Sequence, residues 1–72
     1  MENFVIIFEK NEQGHFAAYV PDLPGCFSFG DTLAEARKNI KEAIELHIEG
    51  LEAENLPIPR QNTYADVLSV AV

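Results

Sequence analysis

With 72 residues, the chain has room for one domain, whose core alone is expected to supply no more than about 3–5 kcal/mol of stability. Cys26 is the only cysteine, which excludes an internal disulfide and a zinc site with several thiolates, so a second copy or a partner is the expected source of further stability. Twelve acidic and five basic residues give a net charge of −7, which disfavours binding to nucleic-acid phosphates and favours a basic protein as partner.

The first ten residues, MENFVIIFEK, contain no positively charged leader and only five consecutive apolar residues. This pattern predicts neither a signal peptide nor a membrane span. We therefore expect a cytoplasmic protein, a compartment that also suits a lone thiol.

Residues 4–8 (FVIIF) form an unbroken β-branched and aromatic run, which predicts a central strand covered on both faces. A polar loop ending at Gly14 follows, and residues 15–20 (HFAAYV) are predicted to return as the second strand. Alternation divides this strand into one face with Phe16, Ala18 and Val20, and a second face with His15, Ala17 and Tyr19.

Pro21 and Pro24 end the second strand because proline lacks the N–H that a ladder needs, and Gly25 permits a positive φ. Residues 26–29 then predict a short third strand at an edge of the sheet. Thr32 and Glu35 have the spacing of a capping box, in which the Thr32 hydroxyl accepts from the Glu35 amide and Glu35 reaches back to the amide of the cap.

An apolar face with three- and four-residue steps predicts a helix over residues 32–54, and its members are Leu33, Ala36, Ile40, Ala43, Ile44, His47, Ile48 and Leu51. Asn55 is suited to the left-handed conformation that ends a helix, with Leu56 packing back onto Leu51. Residues 65–72 (ADVLSVAV) are apolar and β-prone and predict a fourth strand parallel to the first.

The expected fold is thus α+β, with one domain over residues 1–72, a four-stranded mixed sheet in the order 3-2-1-4 and one helix on one face. Because a single helix covers a single face, the opposite face is expected to meet another surface. Phe4, Ile6, Phe8 or their alternates, together with Tyr19, are its expected lining. A symmetric homodimer, a different protein or both would cover it, and the expected self-association is a dimer or a tetramer.

Three segments carry a resemblance to a known family: GHFAAYVPDLPGC at residues 14–26, GDTLAEA at residues 30–36 and LPIP at residues 56–59. Together they resemble the HicB-like antitoxins over nearly the whole chain. The residues that match the family motif, to which we assign a structural role, are Gly14, Pro21, Asp22, Leu23, Pro24, Gly25, Cys26, Gly30, Thr32, Glu35 and Ala36.

The resemblance implies a partial ribonuclease-H-like fold, β-β-β-α-β, and a place in a type II toxin–antitoxin pair. Family members neutralise a small basic HicA-type mRNA interferase by covering its catalytic histidine, and many carry a further DNA-binding module. This sequence ends directly after the fourth predicted strand, so we expect no operator binding by this chain alone. An orphan homo-oligomer without a toxin remains the alternative.

The expected partner-binding residues are Glu42, Glu45, Glu49 and Glu52 on the helix, with Tyr19 and His15 on the sheet. The glutamates form either an ordinary solvated face or an anionic ridge that attracts a basic toxin. Glu9, Asp22 and Asp31 raise the question of a metal-dependent nuclease. The two aspartates are better explained by local hydrogen bonds at turns and caps, so we expect no metal, no cofactor and no catalysis.

Overall fold

The computed structural model describes residues 2–72, which contain three strands followed by one helix. The strands are β1 (Ile7–Lys10), β2 (Phe16–Tyr19) and β3 (Phe27–Gly30), and the helix is α1 (Leu33–Ala53). Each strand is antiparallel to the next, and the sheet order is β1-β2-β3. This agrees with the expected α+β class and with the three strands and the helix predicted before residue 54.

The loop between β1 and β2 is held by the side chain of Asn11. Its Oδ1 accepts hydrogen bonds from the backbone amides of Gln13 and His15, both at 2.9 Å. Gly14 has a φ of 87°, which a side chain would disfavour. The loop therefore sets the register in which Ile7 lies opposite Tyr19 and Lys10 opposite Phe16.

Both ends of α1 carry the predicted caps. The Thr32 hydroxyl accepts from the Glu35 amide at 3.1 Å, while the Glu35 carboxylate accepts from the amide of Asp31 at 3.4 Å, one residue before the predicted partner. At the C-terminus Asn55 has a φ of 56°, and the Leu56 amide donates to the Leu51 carbonyl at 2.9 Å. These bonds form a Schellman motif and end the helix where the sequence predicts.

The core lies between α1 and the sheet and contains Ala18, Val20, Leu23, Cys26 and Ile40. Because residues directly opposite each other in a ladder share a face, Phe8, Ala18 and Ser28 all point towards α1. Phe4, Ile6 and Phe8 pack against this cluster. The residues between them, Val5 and Ile7, are thereby left for the opposite face of the sheet.

The prediction of a fourth strand is wrong for the single chain, because residues 65–72 form no ladder with β1 or any other strand. β1 is consequently an edge strand and not the central strand that residues 4–8 predict. Its ladder begins only at Ile7, since the partner strand ends at Tyr19, just before the turn that Pro21 begins. Residues 4–6 precede the ladder but still contribute side chains to the core.

The helix is amphipathic, with Ala36 and Ile40 buried against the sheet and a charged outer face. Among residues 2–72, no helix has the length and apolar character needed to cross a membrane.

Candidate protein-binding surfaces

The sheet surface turned away from α1, here named the open face, consists of two rows of cross-strand neighbours. One row contains Ile7, Tyr19 and Phe27, and the other contains Glu9, Ala17 and Phe29. Tyr19 is 40% exposed, Phe27 60% and Phe29 63%. Three aromatic side chains are thus presented to solvent on one side of a three-stranded sheet.

Phe27 and Phe29 are in contact with each other, with ring centroids 5.9 Å apart and planes at 79°. Such edge-to-face pairs are favourable. Exposed aromatic side chains are of the type that dominates binding energy in protein interfaces. The open face therefore has the chemistry of a protein contact surface.

One end of the open face leads into a cavity of about 480 Å³ with an acidic lining. Its polar residues include Glu9, Asp31 and Glu35, and Phe29 forms part of its wall. The His15 Nδ1 lies 3.0 Å from Asp31 Oδ1 at the same place, with both side chains more than half exposed. Three carboxylates around one cavity suit the guanidinium or ammonium group of a basic partner.

The sequence-predicted binding residues fall into two groups that the fold keeps apart. Tyr19 lies on the open face opposite Ile7, and His15 lies at the acidic end, beyond the other end of β2. The helix glutamates are all exposed, but they lie on the element that covers the other side of the sheet: Glu42, Glu45, Glu49 and Glu52. A single flat partner surface cannot contact both groups at once.

A second concave surface, here named the helix groove, has a volume of about 670 Å³ and lies between the N-terminal segment and one flank of α1. Its apolar lining is Ile6, Ala34 and Ile44. Its charged rim contains Glu2, Arg37, Lys38, Lys41 and Glu45, and thus three of the five basic residues of the chain. Sequence reasoning missed this groove, although the Arg37-Lys38-Lys41 cluster marks its rim.

The carboxylate of Asp22 anchors a distant segment of the chain to the β2–β3 turn. Its Oδ2 accepts from the amides of Asn62 at 2.8 Å and Thr63 at 3.0 Å, and its Oδ1 accepts from the Thr63 hydroxyl at 2.8 Å. These bonds, led by the one from the Asn62 amide, hold the pKa of Asp22 below its ordinary value of 3.8. The anchor fixes the point at which residues 64–72 diverge from the sheet and helix.

The Asp22 anchor should release in acid. Because the folded pKa is lowered, the stability that the anchor contributes is present above pH 3.8 and is lost as the pH falls through the folded value. We expect the amide resonances of Asn62 and Thr63 to shift together with a midpoint below 3.8 in an NMR titration. In Asp22→Ala no acceptor faces the two amides, so both resonances should already be at their released positions at neutral pH; native-like positions there would contradict the anchor.

The remaining motif residues shape the turns and the packing around them. Gly25 has a φ of 84° in the turn, where Leu23 is fully buried between the exposed Pro21 and Pro24. Burial raises the pKa of the Cys26 thiol, which disfavours a reactive thiolate. Glu9 and Asp31 line the acidic cavity while Asp22 binds the 62–63 backbone, and residues 2–72 contain no group of three His, Cys, Asp or Glu side chains placed to hold a metal ion.

The fold and the open face define a small α+β domain with one uncovered sheet surface of aromatic and acidic character. Residues 4–70 match the family described as HicB-like antitoxin of bacterial toxin–antitoxin systems. The chain belongs to this family.

Three relatives illustrate the similarity. A UPF0150 protein of Synechocystis sp., ssr1765, is 46% identical over 70 residues, which cover 97% of this chain and 89% of the relative. A UPF0150 protein of Thermoplasma acidophilum, Ta0767, is 49% identical over 59 residues, which cover 82% and 86%. A 14.9 kDa protein from the rep-hol intergenic region of Haemophilus phage HP1 is 49% identical over 59 residues, which cover 82% of this chain but only 44% of that protein.

Proposed function

We propose that the chain is an antitoxin that binds a small basic mRNA interferase of the HicA type and covers its active site through the open face. The observation that carries this proposal is the combination of three exposed aromatic rings with an acidic cavity at their edge, in a member of an antitoxin family. In this role the chain is a binding protein and not an enzyme. Since an mRNA interferase acts on cytoplasmic RNA, we place the complex in the cytoplasm.

The apolar and the charged parts of the open face have different roles in this proposal. Tyr19, Phe27 and Phe29 supply the desolvated centre of the contact, where binding energy is concentrated. Glu9, Asp31 and Glu35 accept a cationic side chain of the toxin, and the His15 imidazole beside Asp31 shapes the same end of the cavity. The aromatic centre therefore provides affinity and the acidic end provides selection for a basic partner.

The helix glutamates act at longer range in this arrangement. Glu42, Glu45, Glu49 and Glu52 lie across the sheet from the open face, so they increase the negative field of the molecule without contacting the same toxin surface. A net charge of −7 raises the rate at which a basic protein is captured, and this effect falls with salt. Self-association of the antitoxin is a separate part of the proposal.

The test is co-expression with the small basic protein encoded by the adjacent reading frame, followed by measurement of binding. Phe29→Ala should weaken binding by about 30-fold or more, the effect of losing an interface hot spot. Leu46→Ala removes a similarly exposed apolar side chain from α1, 69% exposed, and should leave binding unchanged. Growth arrest by the neighbouring protein that wild-type antitoxin does not relieve would sink the proposal.

A matched pair of charge reversals separates the two acidic surfaces. Glu9→Lys alters the acidic end of the open face, whereas Glu49→Lys makes the same change on α1. If the open face contacts the toxin, Glu9→Lys weakens binding more than Glu49→Lys, which affects mainly the salt-dependent association rate. The reverse order would assign the contact to the helix glutamates. If no adjacent basic protein binds at all, the chain is an orphan oligomer.

A further inference from the structure

Residues 65–72 (ADVLSVAV) have the composition of a strand but make no strand in the single chain. Their large apolar side chains, Val67, Leu68, Val70 and Val72, are each at least 75% exposed. The exposed apolar side chains of such a segment are unfavourable in water. Apart from the Val67 amide, which donates to Asp66 Oδ1 at 2.7 Å, the hydrogen bonds of the structure leave its backbone groups open to pairing with a sheet edge. This segment, here named the tail, therefore requires a surface to dock on.

The outer edge of β1 provides unpaired backbone groups for such a segment. The Asn11 amide donates to the His15 carbonyl at 2.8 Å, which extends the β1–β2 ladder by one bonded pair. Because bonded and non-bonded pairs alternate in an antiparallel ladder, Ile7 and Glu9 also bond to β2. The N–H and C=O groups of Phe8 and Lys10 consequently point away from the sheet, at an edge that no strand of residues 2–72 occupies.

The helix groove lies beside this same edge. Ile6 lines it from the β1 side and shares the helix-facing side of the sheet with Phe8, while Ala34 and Ile44 line it from α1. A strand added next to β1 would direct every second side chain into this groove. Leu68, Val70 and Val72 form such a row in the tail, and the other row, Val67, Ser69 and Ala71, is less apolar.

The tail of the same chain does not enter the groove. The Asp22 anchor holds Asn62 and Thr63 on the β2–β3 turn, and beyond it the side chains of the tail stay exposed. The molecule is accordingly elongated, with extents of 48 × 26 × 18 Å. One chain thus contains an apolar segment that pairs with no sheet edge. The same chain has a sheet edge, beside the helix groove, that this segment does not reach.

We propose that two copies of this chain exchange their tails, so that residues 65–72 of each copy pair with β1 of the other and fill its helix groove. Exchange pairs both tails and both sheet edges, as a two-fold symmetric contact requires. It supplies from a second copy the fourth strand that the sequence predicts. The dimer uses neither the open face nor a toxin, so this inference does not depend on toxin binding.

The first test compares two aspartates one residue apart in the tail. Val70→Asp places a charge in the row that enters the groove, and Ser69→Asp places the same charge in the other row. Both positions are exposed in the single chain and outside α1, so neither variant should change the helical circular dichroism signal of α1. We expect wild type and Ser69→Asp to have twice the 8.0 kDa chain mass in light scattering, and Val70→Asp to dissociate about 30-fold or more readily.

The second test identifies the chain that supplies the strand. A sample mixed from isotope-labelled and unlabelled wild-type protein should give NOEs between chains from the Leu68 and Val70 methyl groups to Ile6 and Ile44. Any of four results would overturn the proposal: contacts of these pairs within one chain only, tails paired with each other, a wild-type monomer at millimolar concentration, or a dimer unaffected by Val70→Asp.

Discussion

Replacing Leu23 by alanine is expected to lower the free energy of unfolding by about 2–5 kcal/mol, which is close to the whole stability of a domain of this size. Leu23 is fully buried although it lies in a turn between two prolines. Its amide donates to the Val20 carbonyl at 3.0 Å, and its carbonyl accepts from the Cys26 amide at 3.0 Å. These bonds fix the backbone, so the turn cannot collapse into the cavity that the substitution leaves.

Leu46→Ala is the matched control for this prediction, because the same atoms are removed from an exposed position on α1. Alanine is a good helix former, so the control should change stability by no more than about 0.5 kcal/mol. Urea unfolding at a fixed protein concentration gives both values, since a dimer would make the midpoint depend on concentration. Equal midpoints for the two variants would show that the turn does not belong to the core.

The local parts of the fold could be predicted from the sequence because their signals lie within a few residues. The Thr32 cap, the Asn55 terminus and the positive φ at Gly25 each depend on near neighbours, and the structure has all three. The facing of β2 is also correct, with Ala18 buried and Tyr19 exposed. Strand alternation alone is enough to separate these two sides.

The fourth strand and the central position of β1 could not be predicted in the same way. Apolar side chains on both sides of residues 4–8 and of residues 65–72 indicate that each segment needs covering, but not which chain supplies the cover. The anchor that directs the tail away from its own β1 depends on Asp22 and Thr63, which are separated by 41 residues. No pattern of local hydrophobicity contains that contact.

The sequence indicates only some residues of the open face. It predicts Tyr19 and His15 as binding residues, both on the side of the sheet that the structure leaves open, but not Phe27 and Phe29, the most exposed aromatic residues of that face. The signal was present, because they alternate with Ser28 after the buried Cys26 and must therefore face away from the core. The acidic cavity could not be predicted from local sequence patterns, because it brings together Glu9 from β1 with Asp31 and Glu35 from the start of the helix.

Gly30→Ala is expected to lower the free energy of unfolding by about 1–3 kcal/mol, by pushing α1 away from β3. A Cβ at residue 30 would lie 2.7 Å from the Ala36 Cα and closer still to the Ala36 amide nitrogen. Every nearby atom belongs to the backbone of the first helical turn, so no side chain can rotate to make room. The helix would have to shift, which also strains the Thr32 cap and separates Ile40 from the core.

The same substitution at Gly50 should have the opposite effect, and this makes the pair decisive. Nothing lies within 4 Å of a Cβ at Gly50, which is in the interior of α1, so Gly50→Ala should raise stability by about 0.5–1 kcal/mol. Because about 1 kcal/mol shifts the melting temperature of a domain this small by about 4–8 °C, thermal unfolding resolves both changes. Stabilisation by both variants would mean that α1 and β3 do not pack at the distance that places Ala36 over Gly30.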